Sequence, residues 1–236
     1  MIRTIVLPGN SQRLNKYLAL ALGISRREAD LLIEKGSVCV NGVTAQLGLQ
    51  VSSSDHITVN NKEIPLAPTK YTYLLLNKPA GYVCSRRSQG DTPTIYDLLP
   101  LPLKHLKSVG RLDKDSSGLI ILTNDGDFAH RMTHPQYRKT KVYRIRLDRD
   151  LEPLHQQMIS DIGITLDDGR SQLTLAKLRD GNLREWQVTM SEGRNRQIRR
   201  TFAALGYTVV RLDRTNFGNY SLGDIKRGLY HQINIQ

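Results

Sequence analysis

Gly110-Arg111-Leu112-Asp113-Lys114-Asp115-Ser116-Ser117-Gly118-Leu119-Ile120-Ile121-Leu122-Thr123-Asn124-Asp125-Gly126 holds three local signals in succession. Residues 110–118 form a polar stretch bounded by glycines. Leu119 to Leu122 is an unbroken apolar run, the pattern of a strand buried on both faces. Asn124-Asp125-Gly126 then reads as a closing turn. Working outward, Tyr73-Leu74-Leu75-Leu76 is a second short apolar run, ending at Asn77-Lys78-Pro79. Lys141 to Leu147 alternates, which sets Tyr143, Ile145 and Leu147 on one face of a strand. Val188-Thr189-Met190 leads into a helix expected over 195–205, with Gly206 as its stop. Strands and helices mix without regular βαβ alternation. The expected class is therefore α+β, with a largely antiparallel mixed sheet flanked by helices.

The first 70 residues read differently. Leu14, Tyr17, Leu18 and Leu22 follow helical spacing, and Gly23 stops that helix. Ser25-Arg26-Arg27-Glu28 is a capping-box pattern, in which serine accepts from a free backbone N–H and glutamate reaches back. Ala29, Leu32 and Ile33 supply the buried stripe, and Gly36 ends the second helix. Val38 and Val40 alternate with polar positions before Asn41-Gly42, a hairpin turn whose residues tolerate positive φ. Arg26 and Arg27 oppose their own helix dipole. They fit either a tolerated surface charge or a phosphate-binding corner beside exposed N–H groups. Pro65 and Pro68 bias their neighbours toward extended backbone, so a linker is expected over 63–70. This gives a small domain at 11–62 and a larger one at 71–236.

Composition narrows the partner. The chain has 236 residues, 34 basic against 22 acidic, and a net charge of +12. Both parts are positive, +3 for residues 1–70 and +9 for the remainder. A surplus of this size favours a polyanion over a small metabolite. Cys39 and Cys84 form no C-x-x-C pair, so a zinc ribbon or finger is unsupported. The run Ile5-Val6-Leu7 is too short for a signal core or a membrane span, and a cytoplasmic protein is expected. His130 and His134 are four apart, but Pro135 follows and no third ligand is apparent.

Three segments carry chemical interest. In 110–118, Asp113 lies between Arg111 and Lys114, and nearby positive charge favours the ionised carboxylate that a nucleophile requires. A solvated loop with ordinary ion pairs explains the same residues, and Asp115 is the rival carboxylate. Tyr143 fits either a core position or a ring stacked on an unpaired base. Arg194, Arg196, Arg199 and Arg200 fall within seven residues. If helical, those three and four apart repel one another unless phosphates or a carboxylate intervene.

Arg13 to Gly42 resembles the S4-type RNA-binding domain in its short helix, SRREA helix start and V-x-V-N-G hairpin. The resemblance implies an RNA-gripping module, with Arg13, Lys16, Arg26, Arg27 and Lys35 as phosphate contacts and Asn41 as a turn residue near RNA. LLNKPAGYVCS, GRLDKDSSGLIILTNDGD, KVYRIRL and EGRNRQIRRTFAALGY, in that order, resemble the bacterial ribosomal RNA pseudouridine synthases that carry an S4-type domain, the RsuA/RluB/RluF-like group. This resemblance covers nearly the whole chain. It implies Asp113 as nucleophile, Tyr143 stacked on the target base, Arg199 paired with Asp113, Leu212 beside the base and Arg111 ordering RNA nearby. Arg194, Arg196 and Arg200 become RNA contacts. Asp115-Ser116-Ser117-Gly118 stands where the family often has D-T-x-G, which retains a hydroxyl, and Thr201 stands where methionine is common.

The implied reaction is an isomerisation of uridine that needs no cofactor, on a base flipped from its stack. The implied partner is ribosomal RNA or a subunit assembly intermediate. The SRREA and NRQIRR segments lean toward the large subunit, and action on transfer RNA stays open. A monomer is the default. Two other readings compete: a non-catalytic RNA-binding or assembly factor, which could dispense with Asp113, and a nucleoside hydrolase or glycosylase, which would release free uracil.

Overall fold

A computed structural model describes residues 11–52, 54–64, 71–86 and 90–235. Residues 5–7 and 65–70, including Pro65 and Pro68 of the expected linker, lie outside the described residues. The chain divides into two compact units, Met1–Tyr71 and Thr72–Gln236.

In the first unit, helices Leu14–Ala21 and Arg26–Glu34 pack on a small antiparallel sheet. The sheet runs Val43–Thr44, Val38–Val40, Ile57–Val59, Lys62–Glu63. Leu14, Leu18, Ala29, Ile33, Val38 and Ile57 form its core. The capping box at Ser25 and Glu28 is formed in both directions. The turn residues Asn41 and Gly42 adopt φ of 52° and 80°. Leu22 stays at the surface, beyond the last helical turn.

The second unit is built on one large sheet. Across it run Thr174–Lys177, Glu185–Met190, Lys141–Leu147, Val209–Phe217, Ser117–Thr123, Tyr73–Lys78 and Tyr230–Ile233. The strand Ser117–Thr123 is buried throughout, because apolar layers cover both of its faces. On one side lie Leu74, Leu76, Ile120, Leu122, Ile145 and Trp186. On the other lie Tyr73, Leu75, Ile121, Phe128, Met132 and Phe217. The pairing is antiparallel except where Val209–Phe217 meets Ser117–Thr123 in parallel, at Asp213 opposite Ser117 and Arg214 opposite Gly118.

Two local expectations change. Asn124-Asp125-Gly126 does more than close a strand: Asp125 N-caps a helix, Gly126–Thr133, by accepting from the backbone N–H groups of Asp127 and Phe128 at 3.0 Å each. A short acidic side chain ahead of a helix supplies the acceptors that the first turn lacks. The arginine helix is also shorter than 195–205. It spans Gln197–Ala203, and Arg196 sits before it in the left-handed region at φ 46°. Arg196 is therefore outside the helical spacing that would have set it on one face with Arg199 and Arg200.

Candidate active site

Alternation along Lys141–Leu147 puts Tyr143 and Ile145 on the layered face of the sheet. Cross-strand register sets Tyr143 opposite Arg214 and Ile145 opposite Leu212. This face opens into a cleft of about 340 Å³ lined by Arg111, Asp113, Tyr143, Arg196, Arg199 and Leu212, among others. Fold topology thus gathers residues as distant in sequence as Arg111 and Leu212, 101 positions apart.

The Asp113 loop is held from beneath by Lys78. This lysine ends the Tyr73–Lys78 strand and is fully buried. Its ammonium donates to the carbonyls of Pro79 and Asp113 at 3.0 Å each and of Ser116 at 2.6 Å. A lysine's three protons match three acceptors in number. Burial pulls its pKa below the ordinary lysine value, and the nearby charges of Asp113 and Asp115 oppose that pull. Gly81 N–H donates to the Lys114 carbonyl at 2.7 Å, which adds a second backbone tie. The loop is shaped through its carbonyls, so the Asp113 carboxylate stays directed at the cleft.

The nearest cation to that carboxylate is Arg196, whose Nη1 lies 3.7 Å from Asp113 Oδ2. Arg196 also grips Asp115 with both ends of its fork, at 3.1 and 2.9 Å. Arg199 differs from expectation here. It ion-pairs with Asp115 at 3.2 Å, donates to the Asp115 carbonyl at 3.0 Å and also reaches the Val209 carbonyl. Among the described residues no close ion pair joins it to Asp113, whose charge still acts on it: Arg199 is the third residue of the helix and its side chain is 14% exposed, whereas Arg196, in left-handed backbone just before the helix, reaches the loop.

Asp115 is thus the hub of the two guanidinium groups. Burial raises its pKa, but the Arg196 hydrogen bonds and the Arg199 and Arg196 charges outweigh this and lower it below the usual carboxylate value. A depressed carboxyl contributes stability that is complete above the unfolded value, near pH 4, and is lost as pH falls through the folded one. Asp115→Asn should therefore flatten that part of the acid limb in a series of unfolding curves from pH 6 to pH 2. An unchanged acid limb would show that the hub contributes nothing to stability.

Arg194 and Arg200, expected as RNA contacts, bind a hairpin of strands Ile164–Leu166 and Gly169–Ser171, and Arg194 also lines the cleft. Arg194 binds Asp168 at 2.7 Å and the carbonyls of Gly169 and Arg170 at 2.9 and 2.8 Å. Arg200 binds Asp168 at 2.6 Å and also Asp167. Carboxylates supplied by the hairpin relieve the like-charge crowding seen in the sequence.

Two cleft cations, Lys141 and Arg214, and the buried Lys78 beneath the loop were not singled out from sequence. Arg214 is 2% exposed, although it lines the cleft. Its Nε donates to the Leu119 carbonyl at 2.8 Å, and its guanidinium lies 4.8 Å from the Phe217 ring centre. Lys141 approaches the same ring, at 5.4 Å, and bonds only to the carbonyls of Lys139 and Glu192 among the described residues. The signal for Arg214 was present, because Leu212 and Arg214 are two apart on a strand and share a face.

In the first unit Arg13, Arg26, Arg27 and Lys35 are exposed, and Lys16 is half-buried. Arg26 donates to the Asn15 side chain at 3.2 Å. Asn41 is committed internally: it donates to Asp55 and accepts from His56 N–H, both at 2.8 Å, so its amide braces the hairpin. Among the described residues no group of three His, Cys, Asp or Glu could hold a metal ion.

Comparison with known proteins matches residues 72–204 to the RNA pseudouridylate synthase family and residues 12–57 to the S4 domain. The chain belongs to the RNA pseudouridine synthase family. It is an isomerase with an N-terminal S4 domain. The synthase is 38% identical to the ribosomal small subunit pseudouridine synthase A of Pasteurella multocida, over 95% of this chain and 97% of that one. It is 35% identical to the ribosomal large subunit pseudouridine synthase B of Bacillus subtilis, over 92% and 90%. Its fold matches a crystal structure of a pseudouridylate synthase with a TM-score of 0.67 at 34% identity, covering 94% of this chain and 96% of that one.

Proposed function

We propose that this synthase converts a uridine of ribosomal RNA to pseudouridine, with Asp113 as nucleophile on a flipped-out nucleotide. The observation that carries this reading is the Asp113 carboxylate, 3.7 Å from Arg196 and lining one cleft with Tyr143 and Leu212. The reaction breaks C1′–N1, turns the uracil and joins C5 to C1′, with the C5 proton lost and N1 gaining a proton. Neither oxidation state nor composition changes, so the work is to flip the base, hold it and supply a carboxylate. Tyr143 offers a ring for the base to stack on, worth about 1–3 kcal/mol per base in single-stranded recognition. Leu212 packs beside the base. Arg111 and Arg196, both exposed at the cleft, take the flanking phosphates.

Residues 11–62 serve as an RNA-gripping domain and 71–236 as the catalytic domain. Arg13, Lys16, Arg26, Arg27 and Lys35 act as phosphate contacts that set position and salt dependence, not sequence. The named relatives act on both ribosomal subunits, and SRREA and NRQIRR carry the lean to the large one. A cytoplasmic monomer acting on RNA or an assembly intermediate fits this reading. No helix among the described residues is long and apolar enough to cross a membrane.

The test is tritium release from 5-tritiated uridine in large- and small-subunit RNA, naked and in assembly intermediates. The expected outcome is stoichiometric release from one RNA with no free uracil. Free uracil would instead identify a glycosylase. Tight binding without release from any substrate would identify a binding factor.

A further inference from the structure

Arg214 occupies an unusual electrostatic position. It is almost wholly buried, and among the described residues it makes no ion pair with a carboxylate. Its Nη2 has no hydrogen-bond partner, though Nε is satisfied by the Leu119 carbonyl. A buried guanidinium left unpaired is unfavourable, and native folds seldom retain one without a use. Lys78 and Lys141, also buried or half-buried, add to the same positive field, and the pKa of Lys141 is pulled down by burial and then by Arg214. Arg214 is therefore a buried cation of the cleft that no carboxylate pairs among the described residues, whereas Glu192 acts on Lys141 and Asp113 and Asp115 act on Lys78.

We propose that the guanidinium of Arg214, which lines the cleft, binds a carbonyl oxygen on the edge of the target uracil. This rests on the reading that Asp113 and Tyr143 hold the target uridine in this cleft. Position selects the base over the phosphates. Arg214 is directly opposite Tyr143 and two residues from Leu212, on the face where the ring is stacked. The exposed guanidinium groups at the mouth, Arg111 and Arg196, are the ones within reach of the backbone. When C1′–N1 breaks, its electron pair passes to the uracil and spreads onto the two carbonyl oxygens. A fixed cation in a water-poor site stabilises that charge with no reorganisation at the moment of reaction. The same donor discriminates bases: uracil offers a carbonyl at C4, where cytosine offers an amino group that also donates.

The test is Arg214→Met, which keeps volume and removes the charge. Single-turnover tritium release should fall about 10²-fold or more, with KM changed by less than about threefold, as for loss of a preorganised donor. The unfolding midpoint should hold or rise, because an uncompensated buried cation has gone. Binding of RNA carrying uridine rather than cytidine at the target should lose its preference. A midpoint that drops with activity would overturn the proposal in favour of a structural arginine, as would wild-type-like turnover. An intact uridine preference would remove the specificity role. Arg214→Lys retains the charge and keeps the question readable if the methionine variant folds poorly: partial turnover with preserved preference supports the contact, and full turnover opposes it. If wild type releases no tritium from any RNA, the enzymatic reading fails, while a stabilising Arg214→Met would still mark a ligand-directed cation.

Discussion

Asp113→Asn lowers single-turnover tritium release by about 10³-fold or more, about 4 kcal/mol of transition-state stabilisation at 1.36 kcal/mol per tenfold. The unfolding midpoint barely moves. The Asp113 side chain is 38% exposed, and among the described residues its one close ionic neighbour is Arg196 at 3.7 Å. The loop is shaped by the Asp113 carbonyl, which Lys78 holds, and an asparagine keeps that carbonyl. Asparagine also keeps the shape of the side chain but is not a competent nucleophile. The comparison that decides the role is Asp115→Asn. It loosens Arg196 and Arg199 together, so it should lower turnover by about 10–100-fold through positioning, the smaller of the two effects. The opposite ranking would make Asp115 the nucleophile and Asp113 its support.

Gly118→Ala destabilises the second unit by about 3 kcal/mol or more, roughly 10 °C in Tm for a domain of this size. Gly118 has φ of +102°, where an L side chain is strained. A Cβ there would lie 2.2 Å from the Arg214 carbonyl oxygen and 2.6 Å from the Arg214 nitrogen, both backbone atoms. Neither can rotate aside. The contact sits in the parallel pairing of Ser117–Thr123 with Val209–Phe217, so relief requires the central strands to separate. Arg214 rides on the displaced backbone, and turnover should fall as well. Differential scanning calorimetry of the purified variant measures the loss. A midpoint within a degree or two of wild type would mean that the two strands are not so closely apposed.

Much of the architecture was legible because local rules point one way. Tyr143, Ile145 and Leu147 alternate on a strand buried on that face, so period-two patterning predicts their burial. Ser25 and Glu28 form a cap because both partners lie within one turn. The Asp125 helix was also legible in principle: its capping acceptor stands in the sequence, but the preceding apolar run drew the reading toward a turn. Where distant segments compete for one partner, local rules fail. Arg199 meets Asp115 because the helix and the loop come together across 84 positions, and no spacing rule ranks two carboxylates two residues apart. Arg194 and Arg200 bind Asp168, which no reading of their own segment could supply.

The sequence by itself determined the class, the two-part organisation, the basic character and the loop that bears Asp113. Each follows from periodicity, turn chemistry, charge or a contiguous motif, all of which act over a few residues. The tertiary structure alone decided which arginine faces which carboxylate, why Gly118 admits no side chain and why Lys78 is buried without a carboxylate. These depend on strands brought together from far along the chain, where the partner of a charge is fixed by register and packing, and a sequence neighbour has no special claim.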